Sequence, residues 1–148
     1  MKRLLSLALS VLLLSSCGVT TLYYWGGGEG GTTTYENLSY NDYKRQSPDA
    51  VCKLICVYED MVSHPGGTRQ VPPPGICAEY GYLLLRSATA QTFAENATRS
   101  QKRMFDDTDD YAALFSERGK EMLQKEIEYY PESRQFIEPL IQKLARQL

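Results

Sequence analysis

Residues 47–63 read SPDAVCKLICVYEDMVS, and this stretch carries strong signals for an α-helix. Ser47 is a common helix cap, Pro48 suits the first helical position, and Asp49 places a negative charge at the positive end of the helix dipole. Apolar side chains then recur every three or four residues, at Val51, Leu54, Ile55, Tyr58, Met61 and Val62. This spacing predicts a helix that buries one face and ends at the Pro/Gly-rich loop 64–67.

Similar apolar stripes occur in the rest of the chain. They predict helices after Thr34, after Ile76, over 90–104, over 111–130 and over 133–144. The last stripe contains Phe136, Ile137, Leu140, Ile141 and Leu144. Pro139 lies inside this stripe and is expected to kink the helix or delay its start. No segment alternates as a strand would, so the pattern predicts an all-α fold of antiparallel helical hairpins.

The first residues have the layout of a secretory signal peptide. Two basic residues are followed by the apolar stretch 4–14 and by two serines. The apolar stretch is too short to cross a bilayer as a permanent helix. Leu14-Ser15-Ser16-Cys17 resembles the bacterial lipobox, in which the cysteine sulfur receives a diacylglycerol and the chain is cut before it. The resemblance implies that residues 1–16 are removed and that Cys17 carries a lipid.

The pattern divides the chain into a signal peptide over 1–16, a flexible lipidated tether over 17–34 and a helical domain over 35–148. The glycines at 26–31 predict the flexibility of the tether. The aromatic cluster 22–25 is expected to dock on the domain, with the lipid headgroups as the alternative. Gly18 follows the cysteine, and by resemblance to enteric sorting this implies the periplasmic face of the outer membrane.

Composition excludes several classes of protein. The chain has 148 residues, a formal charge of −2, 43% hydrophobic residues and 23% charged residues. These values exclude a disordered tail and a protein that spans a membrane many times. A nucleic-acid partner is not expected, because proteins that bind nucleic acids carry an excess of clustered basic residues.

Three cysteines remain besides Cys17, an odd number for an oxidising compartment. At most one disulfide can therefore form within the chain. Cys52 and Cys56 are one helical turn apart, so either could pair with Cys77. The alternative is that all three are small apolar side chains on buried faces, as free cysteines often are.

The sequence contains little that suggests catalysis. The one histidine, His64, lies in a turn-forming loop, and metal-ligand spacing and a phosphate-binding glycine loop are both missing. We therefore predict no catalytic residues, no metal and no cofactor. A small periplasmic hydrolase remains as an alternative, with its carboxylates drawn from Glu117, Glu121, Glu126, Glu128 and the cluster 106–110. Their spacing suits solvated helix faces better, with Lys120 and Lys125 as neighbouring partners.

Two segments resemble the halves of a tetratricopeptide-type unit. Residues 73–85 (PPGICAEYGYLLL) are similar to its first helix, where small residues, a glycine and an aromatic recur along the packing face. Residues 122–133 (MLQKEIEYYPES) are similar to its second helix and the following proline turn. Residues 86–120 form an insertion between the two halves.

Together with Leu22-Tyr23-Tyr24-Trp25-Gly26, these segments resemble a family of small bacterial lipoproteins of unknown function. Genes of that family tend to neighbour a lipoprotein similar to the curli-secretion pore and a second small lipoprotein. The resemblance implies a non-enzymatic accessory or scaffold protein in an outer-membrane assembly, with those two lipoproteins as partners. The alternatives are a structural envelope lipoprotein without a specific partner and, as the weakest, the hydrolase.

Overall fold

The computed structural model describes residues 20–29, 31–45 and 47–145, and the fold within these ranges is all-α, as the sequence predicts. Its seven helices are α1 Thr34–Arg45, α2 Pro48–Ser63, α3 Ile76–Leu84, α4 Thr89–Asn96, α5 Arg99–Lys102, α6 Tyr111–Tyr129 and α7 Arg134–Ala145. Two short strands, β1 Gly28–Glu29 and β2 Thr32–Thr33, pair antiparallel before α1. None of the helices described is long and apolar enough to cross a membrane.

Helix α2 forms the centre of the core and begins where the sequence predicts. The Ser47 hydroxyl accepts a hydrogen bond from the Ala50 N–H at 3.3 Å, which caps the helix. Ile55 and Met61 are fully buried on its apolar face. The helix ends at Ser63, and the His64 N–H donates to the Asp60 carbonyl. Helices α1, α3 and α4 all pack against α2, so its stripe organises the domain.

Helices α3 and α6 form the most extensive helix pair. They meet at Gly81 and Gly119, and a Cβ atom built on Gly81 would lie only 2.7 Å from the Gly119 carbonyl oxygen. These two helices are not consecutive, because α4 and α5 lie between them in the sequence. The small residues expected on α3 do allow the close approach of a neighbouring helix.

An aromatic cluster fills the other end of the core. Phe93 contacts Phe105, Tyr111 and Phe115 edge to face, with ring centroids 5.2–5.3 Å apart. Edge-to-face pairs add about 0.5–1.5 kcal/mol each beyond the burial of their area. The cluster joins α4, the turn after α5 and the start of α6. Asp110 caps α6 by accepting from the Ala113 N–H at 2.9 Å.

The segment before α1, part of the tether expected over 17–34, packs against the helical domain. In its described part, the carbonyls of Thr21 and Leu22 accept hydrogen bonds from the Thr68 and Arg69 N–H groups, each at 3.1 Å. Gly67 permits this approach, because a Cβ there would lie 2.5 Å from the Leu22 carbonyl oxygen. Gly67 thus lets this segment pack closely against the loop after α2, and residues 17–19 lie outside the described part.

The last helix differs from its predicted stripe at one residue. The turn 131–133 is a short 3₁₀ segment, and α7 follows from Arg134 with Pro139 inside it. Ile137 is buried against Leu123 and Ile127 on α6. Phe136, which the spacing assigns to the buried face, is 71% exposed. The packing against Leu123 and Ile127 comes from Ile137, Leu140, Ile141 and Leu144, and Phe136 lies at the edge of this stripe, about 100° from Ile137.

Candidate functional site

A partly buried ion pair joins α2 to α6. Arg118 donates from Nη2 to Glu59 Oε1 at 2.6 Å and from Nε to Glu59 Oε2 at 3.2 Å. The Tyr80 hydroxyl donates to Glu59 Oε2 at 2.7 Å, and the Ser63 hydroxyl donates to Glu59 Oε1. Arg118 also donates from Nη1 to Glu121 at 2.7 Å. One carboxylate thus connects three helices, α2, α3 and α6.

The electrostatics of this pair favour a charged Glu59. Burial raises the pKa of Glu59, but the hydrogen bonds from Arg118, Ser63 and Tyr80 outweigh that effect and leave the pKa below its ordinary value. Burial lowers the pKa of Arg118, and its bonds to Glu59 and Glu121 more than reverse the shift. Both groups are charged at neutral pH. Most of their hydrogen-bonding atoms have partners within this cluster of side chains.

An open groove of about 520 Å³ lies beside the ion pair. Asp106, Glu117 and Glu121, three of the carboxylates considered for a hydrolase, line this groove together with Met104 and Leu114. Glu126 and Glu128 are elsewhere. Glu128 is exposed near the end of α6. Glu126 is also on α6, but its side chain is buried against the start of α3. The structure therefore does not bring all of these carboxylates together.

Glu126 has a structural role as a cap of α3. Its carboxylate accepts hydrogen bonds from the Gly75 N–H at 2.8 Å and the Ala78 N–H at 3.2 Å. These groups belong to the first turn of α3, where backbone N–H groups lack partners within the helix. Burial raises the pKa of Glu126, although the backbone hydrogen bonds oppose the rise.

A stack of aromatic rings runs from the N-terminal segment into the core. Trp25 contacts Tyr35 and Tyr35 contacts Tyr58, each with ring centroids 5.7 Å apart, and Tyr58 contacts Tyr80 at 5.5 Å. Glu79 accepts from the Tyr35 and Tyr58 hydroxyls, both at 2.7 Å. Burial and the bond to Glu79 raise the pKa of Tyr35 to about 12. Tyr24 adds a second link, because its hydroxyl donates to Asp60 at 3.0 Å.

The three described cysteines are free thiols. The Cys52 Sγ lies 3.9 Å from the Thr92 carbonyl of α4, and Cys77 is fully buried. Burial raises the pKa of Cys56 and of Cys77 to about 12. These surroundings agree with the alternative of small apolar side chains on buried faces. Cys17, the predicted lipid attachment site, lies outside the described residues.

His64 lies in the loop after α2, where its Nδ1 atom is 3.3 Å from Asp60 Oδ1 and its side chain is well exposed. The loop geometry agrees with a turn and a helix end. Within 20–29, 31–45 and 47–145, no cluster of three or more His, Cys, Asp or Glu side chains is placed to hold a metal ion.

A second groove, of about 370 Å³, lies between α3 and α7. It is lined by Tyr82, Leu85, Arg86, Ser87, Leu140, Lys143 and Leu144. Two of these lining residues are basic and none is acidic. Phe136 lies one turn before Leu140 on α7 and is exposed. Together with Tyr82, it brings two exposed aromatic rings to this side of the domain.

Sequence reasoning missed the Glu59–Arg118 pair and the role of Glu79. Glu59 and Arg118 are 59 residues apart, so no local spacing relates them. Comparison of the chain with protein-family models, with curated proteins and with solved structures found no match. Two surfaces are therefore candidates for function by their geometry, the α3/α7 groove and the exposed aromatic segment before α1.

Proposed function

We propose that this protein is a lipid-anchored lipoprotein on the periplasmic face of the outer membrane, and that its helical body binds another protein without catalysing a reaction. Cys17 carries the lipid in this proposal, and residues 1–16 are the signal peptide. The body acts as an accessory or scaffold in an assembly similar to curli secretion. The lipobox-like sequence and the order of three family-like motifs support the proposal.

The groove between α3 and α7 is the observation that carries the binding function. Tyr82 is exposed beside the apolar side chains of Leu85 and Leu140, and Phe136 is exposed one helical turn before Leu140. Exposed aromatic side chains beside a groove with both apolar and polar lining residues are typical of protein interfaces, since they supply contact area at a small entropic cost. Arg86 and Lys143 would pair with carboxylates of the partner.

The geometry of α3 and α6 supports a tetratricopeptide-like core for this body. Helix α3 lies in the first family-like segment and the second half of α6 lies in the second. The two helices approach closely at Gly81 and at Gly119, which is next to the end of the insertion. The insertion 86–120 supplies α4, α5 and the start of α6. In this proposal the insertion completes the core on one side and leaves the α3/α7 side open for a partner.

The surroundings of Glu121 and Glu126 favour this proposal over the hydrolase alternative. Glu121 is paired with Arg118, and Glu126 caps α3. A general acid or base must reach the proton it transfers. Glu126 is instead held by backbone N–H groups inside the protein.

Site-specific photocrosslinking in living cells tests the partner. A benzoylphenylalanine residue at position 136 of the full-length protein should yield crosslinks to the lipoprotein similar to the curli-secretion pore or to the second small lipoprotein. The same residue at position 91, exposed on α4, is the control and should not. Leu140→Ser should remove most of the product from position 136. Equal crosslinking from both positions, or none from position 136, would refute the assignment of the groove.

The anchor is tested separately by Cys17→Ser. Labelling with a radioactive fatty acid should be lost, and the protein should leave the membrane fraction. Retention of the variant in membranes would contradict lipid attachment at Cys17.

A further inference from the structure

The N-terminal segment is fixed to the helical body from Thr21 onward. The Thr21 and Leu22 carbonyls are bonded to the backbone of the loop after α2. Tyr24 donates to Asp60 on α2, and Trp25 contacts Tyr35 on α1. The folded body thus begins four residues after Cys17, well before the start of the domain predicted from the sequence.

This short distance limits how far the body can move from an anchored lipid. An extended chain spans at most about 3.6 Å per residue, so Thr21 lies within about 14 Å of Cys17. The headgroup region of a bilayer adds roughly 5–7 Å on each side of the hydrocarbon core. A lipid on Cys17 therefore holds the start of the folded body at, or just above, the headgroups.

The side chains at this end of the body suit a lipid surface. Leu22 is 61% exposed and Trp25 is 36% exposed. Tyr23 lies between them in sequence, and the Arg69 guanidinium carbon is 5.8 Å from the centre of its ring. Aromatic rings favour the membrane–water interface, where one end of the ring is apolar and the other is hydrated. An arginine can in addition bind lipid phosphates.

We propose that three exposed side chains at this end of the body, Leu22, Trp25 and Arg69, form a membrane face that rests on the headgroups of the leaflet holding the lipid. This inference rests on the proposed lipid anchor at Cys17. It replaces the expected flexible tether by a short stem and a docked surface. The occupant of this surface is the lipid bilayer, and a protein partner at the same place is an outcome that the test distinguishes.

The proposal also orients the α3/α7 groove. The aromatic stack leads from Trp25 through α1 and α2 to Tyr80 on α3. Tyr82 is two residues further along α3 and hence about 200° around the helix from Tyr80. It lines the groove against α7. The groove is therefore on the face of α3 opposite to the aromatic rings that lead to Trp25, and in this proposal it opens to the periplasm.

Trp25 makes the test direct, because it is the single tryptophan of the chain. The lipidated protein is purified in detergent and reconstituted into vesicles of phosphatidylethanolamine and phosphatidylglycerol. Some vesicles contain lipids brominated near the headgroup end of the acyl chains. We expect a blue shift of the Trp25 emission, at least about twofold quenching by the brominated lipids, and protection from aqueous iodide.

Trp25→Phe combined with Tyr82→Trp is the matched control, since it moves the probe to the α3/α7 groove. Its emission should be quenched by iodide and not by the brominated lipids. Unchanged α-helical circular dichroism shows that the control variant is folded. Equal lipid quenching at positions 25 and 82 would overturn the proposed orientation.

Flotation of the vesicles separates failure of the inference from failure of the anchor. If the wild-type protein floats with the vesicles while Trp25 stays accessible to iodide and unquenched by lipid, the membrane face is refuted and the anchor stands. If the wild-type protein does not float, or Cys17→Ser floats equally well, the anchor itself is refuted, and the inference with it. Flotation that requires Cys17, together with lipid quenching of Trp25, supports both.

Discussion

Replacement of Arg118 by methionine should destabilise the protein by about 2–4 kcal/mol. Methionine keeps most of the aliphatic length of arginine but removes the charge and the donors that face Glu59. The Glu59 side chain is 13% exposed and the Arg118 side chain is 24% exposed. The variant would thus leave a carboxylate in a mostly buried site without its cationic partner.

The expected magnitude follows from this burial. Removal of one partner of a fully buried ion pair costs about 3–5 kcal/mol. The remaining exposure of both side chains lets water screen part of the charge, and the hydroxyls of Tyr80 and Ser63 still donate to Glu59. These effects reduce the expected loss by about 1 kcal/mol. Glu59→Gln in the Arg118→Met background should recover about 1–3 kcal/mol, because it removes the unpaired charge.

Urea denaturation followed by far-ultraviolet circular dichroism measures these changes in the Cys17→Ser background. The slope of the unfolding free energy with urea should stay constant, so that the midpoint alone reports stability. Arg134→Met is the matched control: it breaks the exposed Arg134–Glu138 pair on α7 and should cost about 0.5 kcal/mol or less. A loss for Arg118→Met no larger than that of the control, or strictly additive effects in the double variant, would refute the role of the pair.

Three further predictions concern packing, pH and thiol chemistry. Gly81→Ala should lower the free energy of unfolding by about 1–3 kcal/mol in urea, because its Cβ would meet the Gly119 carbonyl; a more stable variant would contradict this contact. Glu59 has a lowered pKa in the folded protein, so its stabilising effect is present above pH 4.5 and is lost as pH falls through the folded value. Urea titrations on either side of pH 4.5 should therefore show a smaller acid-induced loss for Glu59→Gln than for the wild type. Iodoacetamide should alkylate Cys56 and Cys77 at least about tenfold faster in urea than in the native protein, because burial raises both pKa values to about 12. Peptide mass spectrometry measures the two rates, and equal rates would show that these thiols are accessible in the fold.

The helical architecture could be predicted because its signals are local. The cap at Ser47 and the three-to-four spacing that follows identify α2 within one residue. The acidic residue Asp110 identifies the start of α6 in the same way. Each of these signals involves residues within a few turns of one helix, so the sequence alone contains the necessary information.

The features that the sequence did not predict depend on distant residues. The backbone contact between Leu22 and the loop after α2 is one of them, because the Arg69 N–H donor and the close approach at Gly67 come from a distant part of the sequence. The exposure of Phe136 depends on which face of α7 packs against α6. In the structure, the neighbouring residue Ile137 is buried against α6 instead. The same holds for Glu59, whose partner Arg118 comes from another helix. Tertiary contacts decided each of these outcomes.

The membrane face and the α3/α7 groove, the two proposed surfaces, are connected by rigid packing. The ring stack from Trp25 to Tyr80 is continuous, and Glu59 joins Tyr80 to Arg118 on α6. In the proposed arrangement, only the short segment between Cys17 and Thr21 separates the rigid body from the lipid, so the body can sample few orientations. A second protein anchored in the same membrane would then meet the α3/α7 groove with less rotational freedom left to lose. Insertion of a flexible Gly/Ser segment before Thr21 should therefore weaken binding to an anchored partner while leaving the groove itself unchanged.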